Sequence, residues 1–442
     1  MKKQLRAGAH EQIINPKTSQ FLFGYPNVER WSTGVHDDLY TAALYLGDGS
    51  VKMMFITNDL IYVPKEQSQE VRNRISEETG IDFQNIMVTA THTHSGPHMK
   101  TYASNQGDPV VGDPDPEYVR FAVEKIIETG LQAFRNAEPA VLGASAADST
   151  GIGTNRRDPE GPADHEVPVL TVMDAQKSRY IAVMAVVSMH PTVLHEDSTL
   201  ISADFLGPVR CFLKKHAAGP SVPILLHTGP SGNQSPRHAV NANTFSEAER
   251  IGEILGASAA DAVKRTLFSS RIPLSCGYTH INDLPRKKFP PLETAEQALA
   301  EALKLMEEKK KQDRPRTEIR TLECDIFGLE EQVTLARLYR EGKLDAYWDD
   351  CLPVEIQVFA VGPWMFASWP GEVFIEYSLQ VKQAVPGLFV ITLANGELQG
   401  YIATPEAAEE GGYEAMNALF EASSGQIIVE ETRKLAETTA GG

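Results

Sequence analysis

The chain has 442 residues, with 41 Lys+Arg against 59 Asp+Glu and a formal charge of −18. That balance argues against nucleic acid as a partner, because binding phosphates wants a basic field. Hydrophobic residues at 42% and charged residues at 23% exclude a disordered chain and supply a sizeable core.

No run approaches about 18 apolar residues, so no membrane span is expected. After the n-region-like Met1-Lys2-Lys3-Gln4-Leu5-Arg6 the sequence turns to Ala-Gly-Ala-His-Glu-Gln and not to an apolar leader. The expectation is a cytoplasmic protein, or a secreted one whose leader has been removed. Cys211, Cys276, Cys324 and Cys351 are widely spaced with no CxxC pair, and they read as ordinary thiols.

In chain order, an apolar strand is expected at 51–63, a helix at 66–79 and a buried strand at 86–90 that runs into Thr91-His92-Thr93-His94. A helix follows at 116–136, then strands at 169–173, 181–189 and 222–227. Thr244-Phe-Ser-Glu247 is a capping-box pattern opening a helix to about 266. Helices are expected at 292–311, ending in Lys309-Lys310-Lys311, and at 332–340. A hairpin at 354–361 and 365–369 turns over Gly362-Pro363, followed by a helix at 372–383, a strand at 388–393 and a closing helix at 426–436. This interleaving predicts an α/β fold, a mixed β-sheet core covered by helices. It also predicts one large domain over 1–442, with 285–345 as a helical insertion or subdomain.

Reactive residues gather at strand ends and turns. His92 and His94 are two apart, so on a continuing strand they would share a face, one binding metal while the other handles protons. His190 sits at the end of another strand, while His195 reads as a solvated loop residue and Asp204 as an N-cap. The Gly-rich stretch 227–238 is neither Gly-x-Ser-x-Gly nor a phosphate loop. Within it Ser235 suits a nucleophile, a substrate hydrogen bond or a plain turn. Glu372 of Pro-Gly-Glu is expected in a first helical turn, where the helix dipole alone favours a carboxylate. Asn155-Arg156-Arg157-Asp158 reads by itself as a surface charge pair.

In order, Thr-His-Thr-His-Ser-Gly-Pro, Asn-Arg, Ser-Met-His-Pro-Thr, Gly-Asn-Gln-Ser-Pro, Pro-Gly-Glu and Gly-Tyr-x-x-Thr-Pro-Glu resemble the catalytic domain of the neutral/alkaline non-lysosomal ceramidase family. The resemblance runs from about Ala7 to the Tyr413 region. It implies a zinc amidase acting on an N-acyl bond, with Zn2+ as the cofactor. It also implies His92, His190, Glu372 and Tyr401 as metal ligands. His94 would lie near the scissile carbonyl, Arg156 and Tyr413 on the substrate side, and Ser235 as the active-site serine. Several positions depart from the family pattern. Asn233 stands where the family has Asp, Ala407-Ala408 follow Glu406 in place of Glu-Tyr, and His98 replaces a small residue. No C-terminal immunoglobulin-like domain is expected. The implied partner is a small-molecule N-acyl substrate, possibly smaller or more polar than ceramide. Two competing readings are a metal-independent esterase or lactonase using Ser235, and a non-catalytic lipid- or glycan-binding relative.

Overall fold

A computed structural model describes residues 4–312, 314 and 316–440. Of the leader reading at residues 1–6, positions 1–3 lie outside the described residues. Eight strands form one large sheet: β1 Arg6–Ile13, β2 Tyr40–Gly47, β3 Lys52–Asn58, β4 Ile86–Ala90, β5 Glu138–Asp148, β6 Glu166–Asp174, β7 Tyr180–Val187 and β8 Ile224–Thr228. Their order is β8-β7-β6-β5-β1-β2-β3-β4. β3–β4 and β7–β8 are parallel, and the other neighbouring pairs are antiparallel. A second sheet runs in order β9 Leu274–Ile281, β10 Val354–Val361, β11 Trp364–Ser368 and β12 Leu388–Ile391, with β11–β12 parallel.

The two sheets face each other through an apolar layer. Leu44, Phe55, Leu170 and Met184 of the large sheet meet Phe359, Val361 and Phe366 of the small one. Strand alternation makes this work. Phe359 and Val361 point into that layer, while Ile356 and Val358 point to the opposite face.

Helices cover both outer faces. α1 Lys65–Thr79 and α2 Pro116–Arg135 pack Val71, Ile75, Ile126 and Ile127 on Met54, Ile56 and Val88. α3 Leu206–Leu213 and α4 Phe245–Arg265 cover the other half through Val209, Ile251 and Leu255. The small sheet is covered by a helical hairpin, α5 Leu292–Lys311 and α6 Arg316–Arg340, together with α7 Ile375–Ala384 and α8 Ser423–Ala440. The expected mixed α/β architecture with helices over a sheet is therefore observed. No helix among the described residues is long and apolar enough to cross a membrane, and the four cysteines are free.

The large sheet also curls until its two edges meet. The Thr57 hydroxyl donates to the Leu226 carbonyl at 2.6 Å, the Thr228 hydroxyl to the Thr91 carbonyl at 2.7 Å, and Thr89 Oγ1 lies 2.8 Å from His227 Nδ1. The carboxyl ends of β4 and β7 are thereby brought to one place.

Several local expectations change. The strand expected at 51–63 stops at Asn58, and 59–64 turns away to feed α1. Asp204 is not an N-cap: at φ 54 its carboxylate accepts from the amides of Val193, Leu194 and Phe205, and Phe205 precedes the helix. The capping box is half-formed. Thr244 accepts from the Glu247 amide, but the Glu247 carboxylate goes to the Asn241 amide. The helix expected at 332–340 begins much earlier, at Arg316.

Phe55 makes edge contacts with Phe359 at 5.2 Å and Phe366 at 5.8 Å. Phe55→Ala opens a void between the sheets and should lower stability by about 3–5 kcal/mol in urea unfolding. Leu305→Ala, on an exposed helix face, should change it by less than about 0.5 kcal/mol. Equal small losses would contradict the two-sheet core.

Candidate metal centre and substrate cleft

Three chain segments reach one point from the carboxyl ends of parallel-paired strands. β4 ends at Ala90, and the chain turns with His92 in the left-handed region at φ 70. The expected continuing strand is thus absent; the turn, not strand alternation, brings His92 and His94 together, with rings perpendicular at 4.9 Å. Buried Arg30 donates to the His94 carbonyl at 2.8 Å and to the Ser198 carbonyl at 2.9 Å, fixing the loop. Gly24, at φ 119, lies against the His94 ring, where a Cβ would come within 2.4 Å of Nδ1.

His190 follows β7. Glu372 follows β11 in a two-residue strand paired with Tyr401–Ile402, in which Glu372 lies directly opposite Tyr401. Glu372 is therefore not in a helical turn; the helix begins three residues later, at Ile375.

The donor atoms converge. His92 Nε2 is 3.2 Å from His190 Nε2 and 3.4 Å from His94 Nε2. Glu372 Oε2 lies 3.0 Å from His190 Nε2 and 3.2 Å from His92 Nε2. The other ring nitrogens face backbone carbonyls: His92 Nδ1 meets Ile61 O at 3.1 Å, and His190 Nδ1 meets Ser231 O at 2.5 Å. These contacts assign the proton to Nδ1 and leave each Nε2 lone pair pointing inward. Burial, with Arg156 next, lowers His190 to about 4, and burial with the neighbouring rings lowers His94 well below its ordinary value. Neutral imidazoles and a carboxylate suit a divalent cation. The Nε2-bearing set His92, His94 and His190 can hold a metal ion.

The structure brings six of the eight sequence-chosen residues into direct relation with this centre. His92, His190 and Glu372 form its heart. His94, read from the motifs as a group near the carbonyl, presents its Nε2 beside theirs. Tyr401 packs near His190, with ring centroids 6.5 Å apart, and Arg156 lies 5.2 Å from the Tyr401 ring. Arg156 is not a surface charge: it is buried, donating to Glu414 at 2.7 Å and to Gly232 O at 2.6 Å. Tyr413 meets Tyr401 edge-on at 5.5 Å. Ser235 stands further out, its hydroxyl oxygen accepting from the Arg237 amide at 3.0 Å. His195 is half-buried in the cleft wall beside Tyr25, not a solvated loop residue.

Other groups carried no sequence signal. Tyr62 donates to Glu372 Oε1 at 2.6 Å; it lay inside what read as an apolar strand. Glu331 and Glu397 line the cleft next to the cluster, and nothing local marks them. Asn233 accepts from the Ile375 amide and donates to both oxygens of Glu376, at 3.0 and 2.8 Å. An Asp at 233 would face the Glu376 carboxylate, so the departure from the family pattern is matched by its neighbour. His98 stacks on Phe23 at 5.0 Å, backing a cleft-lining ring.

The molecule is a layered α/β protein with a buried histidine–carboxylate centre at its strand ends. Residues 8–225 match the model of the neutral/alkaline non-lysosomal ceramidase N-terminal domain, the family whose motifs the sequence resembles. A neutral ceramidase from Mycobacterium tuberculosis is 24% identical over 208 residues, 42% of this chain and 32% of that protein. The aligned part thus spans about a third of that relative's length. The crystal structure of neutral ceramidase from Pseudomonas aeruginosa shares the fold, with a TM-score of 0.73 at 17% identity over 99% of this chain and 75% of that one. A ceramidase complexed with C2 matches at the same score and identity, over 76% of its length.

Burial raises Glu331 to about 8, partly opposed by its hydrogen bond from Asn417. Between about pH 4.5 and 8 the folded chain then holds a proton that the unfolded chain releases, so stability falls as pH rises through that window. Glu331→Gln should flatten this slope, gaining in Tm relative to wild type as pH rises. Parallel Tm profiles of the two proteins would refute the assignment.

Proposed function

We propose that the chain is a zinc-dependent hydrolase of a linear, non-peptide N-acyl amide, with a substrate smaller or more polar than ceramide and residues 285–345 inserted in a single catalytic domain. The carrying observation is the convergence of three Nε2 atoms and the Glu372 carboxylate while the Nδ1 atoms of His92 and His190 are taken by carbonyls. The family match over residues 8–225 supports amide chemistry.

His92, His190 and Glu372 would hold the ion, with Tyr401 at its edge and His94 free beside it. A zinc ion there supplies Lewis acidity towards a carbonyl oxygen and makes a water acidic enough to act as nucleophile near neutral pH. The chain's own groups do the rest. His94, neutral and lining the cleft, holds or relays a proton at the carbonyl. Burial and Glu372 keep the Tyr401 phenol protonated, so it can donate to an oxyanion. Arg156 positions Tyr401, and Tyr413 flanks the substrate. Ser235 has no histidine partner among the described residues, and its oxygen already accepts an amide hydrogen bond. That favours a substrate-contacting hydroxyl over an esterase nucleophile.

The test is amine release from short- to long-chain N-acyl amides, with chelator and then zinc add-back. Chelator-sensitive, zinc-restored release supports the reading; chelator-resistant activity abolished by Ser235→Ala would replace it with the esterase. His190→Ala and Glu372→Ala should each lose bound zinc and activity together. Tyr62→Phe, which removes only the hydrogen bond orienting Glu372, should weaken zinc affinity by about 10–100-fold while leaving the fold intact. Unchanged zinc affinity in Tyr62→Phe would remove that positioning role.

A further inference from the structure

The cleft has two lobes that meet at the donor cluster. Gly24, Tyr25, Pro26, His94, Tyr401 and Tyr413 line both. One lobe also carries Glu331, Glu372 and Glu397, and no Lys or Arg among the described residues lines it. The other carries Arg156, Arg237 and Arg320, and no Asp or Glu among the described residues lines it.

Much of this charge is matched within the protein. Glu372 belongs to the metal centre, Arg156 pairs with Glu414, and Arg320 pairs with Glu196 at 2.8 Å. What remains is asymmetric. Glu331 and Glu397 have no ion pair among the described residues, and neither has Arg237. Glu397 is more than nine-tenths buried; one oxygen accepts the Gln399 amide at 2.7 Å, while Oε2 has no hydrogen-bond partner. Burial raises both Glu331 and Glu397, so in the free protein each keeps a proton that an entering ammonium group would displace, and the unpartnered oxygen of Glu397 is the atom it would meet. The acidic lobe is also walled by Phe23, Tyr25, Tyr62, Tyr102 and Tyr413, and aromatic faces with carboxylates suit an organic ammonium group.

One helix face spans both lobes. Arg320, Cys324 and Phe327 line the basic lobe and Glu331 the acidic one; spacings of four, three and four residues keep them on one side of α6. At about 1.5 Å per residue, Arg320 and Glu331 lie roughly 16 Å apart along the helix.

We propose that the cleft recognises a small dipolar amide, its ammonium-bearing end held in the lobe of Glu331 and Glu397 and its anionic end in the lobe of Arg237. This deepens the hydrolase reading by naming the substrate class and rests on it for the reaction, though recognition itself is measurable without turnover.

The test is calorimetric binding of 8-aminooctanoate, octylammonium and octanoate to the zinc-loaded protein. The dipolar probe should bind about tenfold or more tighter than either singly charged one, equivalent to about 1.4 kcal/mol. Glu397→Gln should weaken 8-aminooctanoate and octylammonium but spare octanoate, and Arg237→Gln should weaken 8-aminooctanoate and octanoate but spare octylammonium. A simple carboxylate ligating the metal would not depend on Arg237. Octanoate or octylammonium binding as tightly as the dipolar probe, or no binding by any, overturns the inference, and this ranking in the wild-type protein needs neither variant to fold. A protein that cleaves no amide yet ranks the probes as expected loses the hydrolase reading and keeps this one. Cleavage of neutral and dipolar amides at equal kcat/KM overturns this one alone.

Discussion

The centre is governed by lone pairs that point at one another. His92 Nε2, His190 Nε2 and Glu372 Oε2 lie within 3.0–3.2 Å of each other, with His94 Nε2 at 3.4 Å from His92. Such atoms repel unless a proton or cation sits among them. Protons are directed elsewhere, because Ile61 O and Ser231 O hold the Nδ1 hydrogens of His92 and His190. The backbone therefore sets the tautomers, and the tautomers create a site that can hold a metal ion. Each surrounding feature serves to hold that arrangement: Tyr62 aims Glu372, Gly24 lets the chain approach His94, and Arg30 ties down the His94 loop.

Bringing His92 and His190 together is a problem of sheet shape. Their strands, β4 and β7, belong to opposite halves of the eight-stranded order. The curl solves it, with threonine hydroxyls on β3, β4 and β8 bonding across the seam. Segment 392–395 then crosses the same seam: the Thr392 amide donates to Thr228 O, and the Ala90 amide to Leu393 O. The small sheet beneath brings Glu372 to the same end from β11. A centre built from both sheets draws on side chains that are far apart in sequence and mutually rigid in space.

This explains what was legible beforehand. The strand–helix alternation announced the α/β architecture, and the His-x-His and Met-His-Pro segments marked their histidines because each sits at the end of an apolar run. Local signals failed where tertiary context decides. Glu372 beside Pro-Gly looked like a helix start, but pairing with Tyr401 made it strand. His92 and His94 looked like a strand pair, but a left-handed turn places them. Tyr62 was hidden in an apolar run, and Arg156 looked superficial until Glu414, 258 positions later, buried it. Glu331 and Glu397 carry no motif, because what defines them is the cleft they share.

That cleft makes the helical hairpin part of the site. Without α6, Tyr401 and Tyr413 would keep their mutual edge contact, but the acidic lobe would lose Glu331 and the basic lobe Arg320 and Phe327. Gly328 sits against Tyr413, where a Cβ would come within 3.0 Å of its Cα, so the helix is seated close enough to close the roof. Asn417 bonds Glu331 from the adjacent short helix, and Arg237 reaches Cys324 at 3.1 Å. The histidine–carboxylate cluster and the charged lobes thus come from different parts of the chain: the two sheets position the cluster, while α6 adds Glu331 to one lobe and Arg320 to the other, beside Glu397 and Arg237 from elsewhere. Changes on α6 can therefore alter the lobes while the cluster stays fixed.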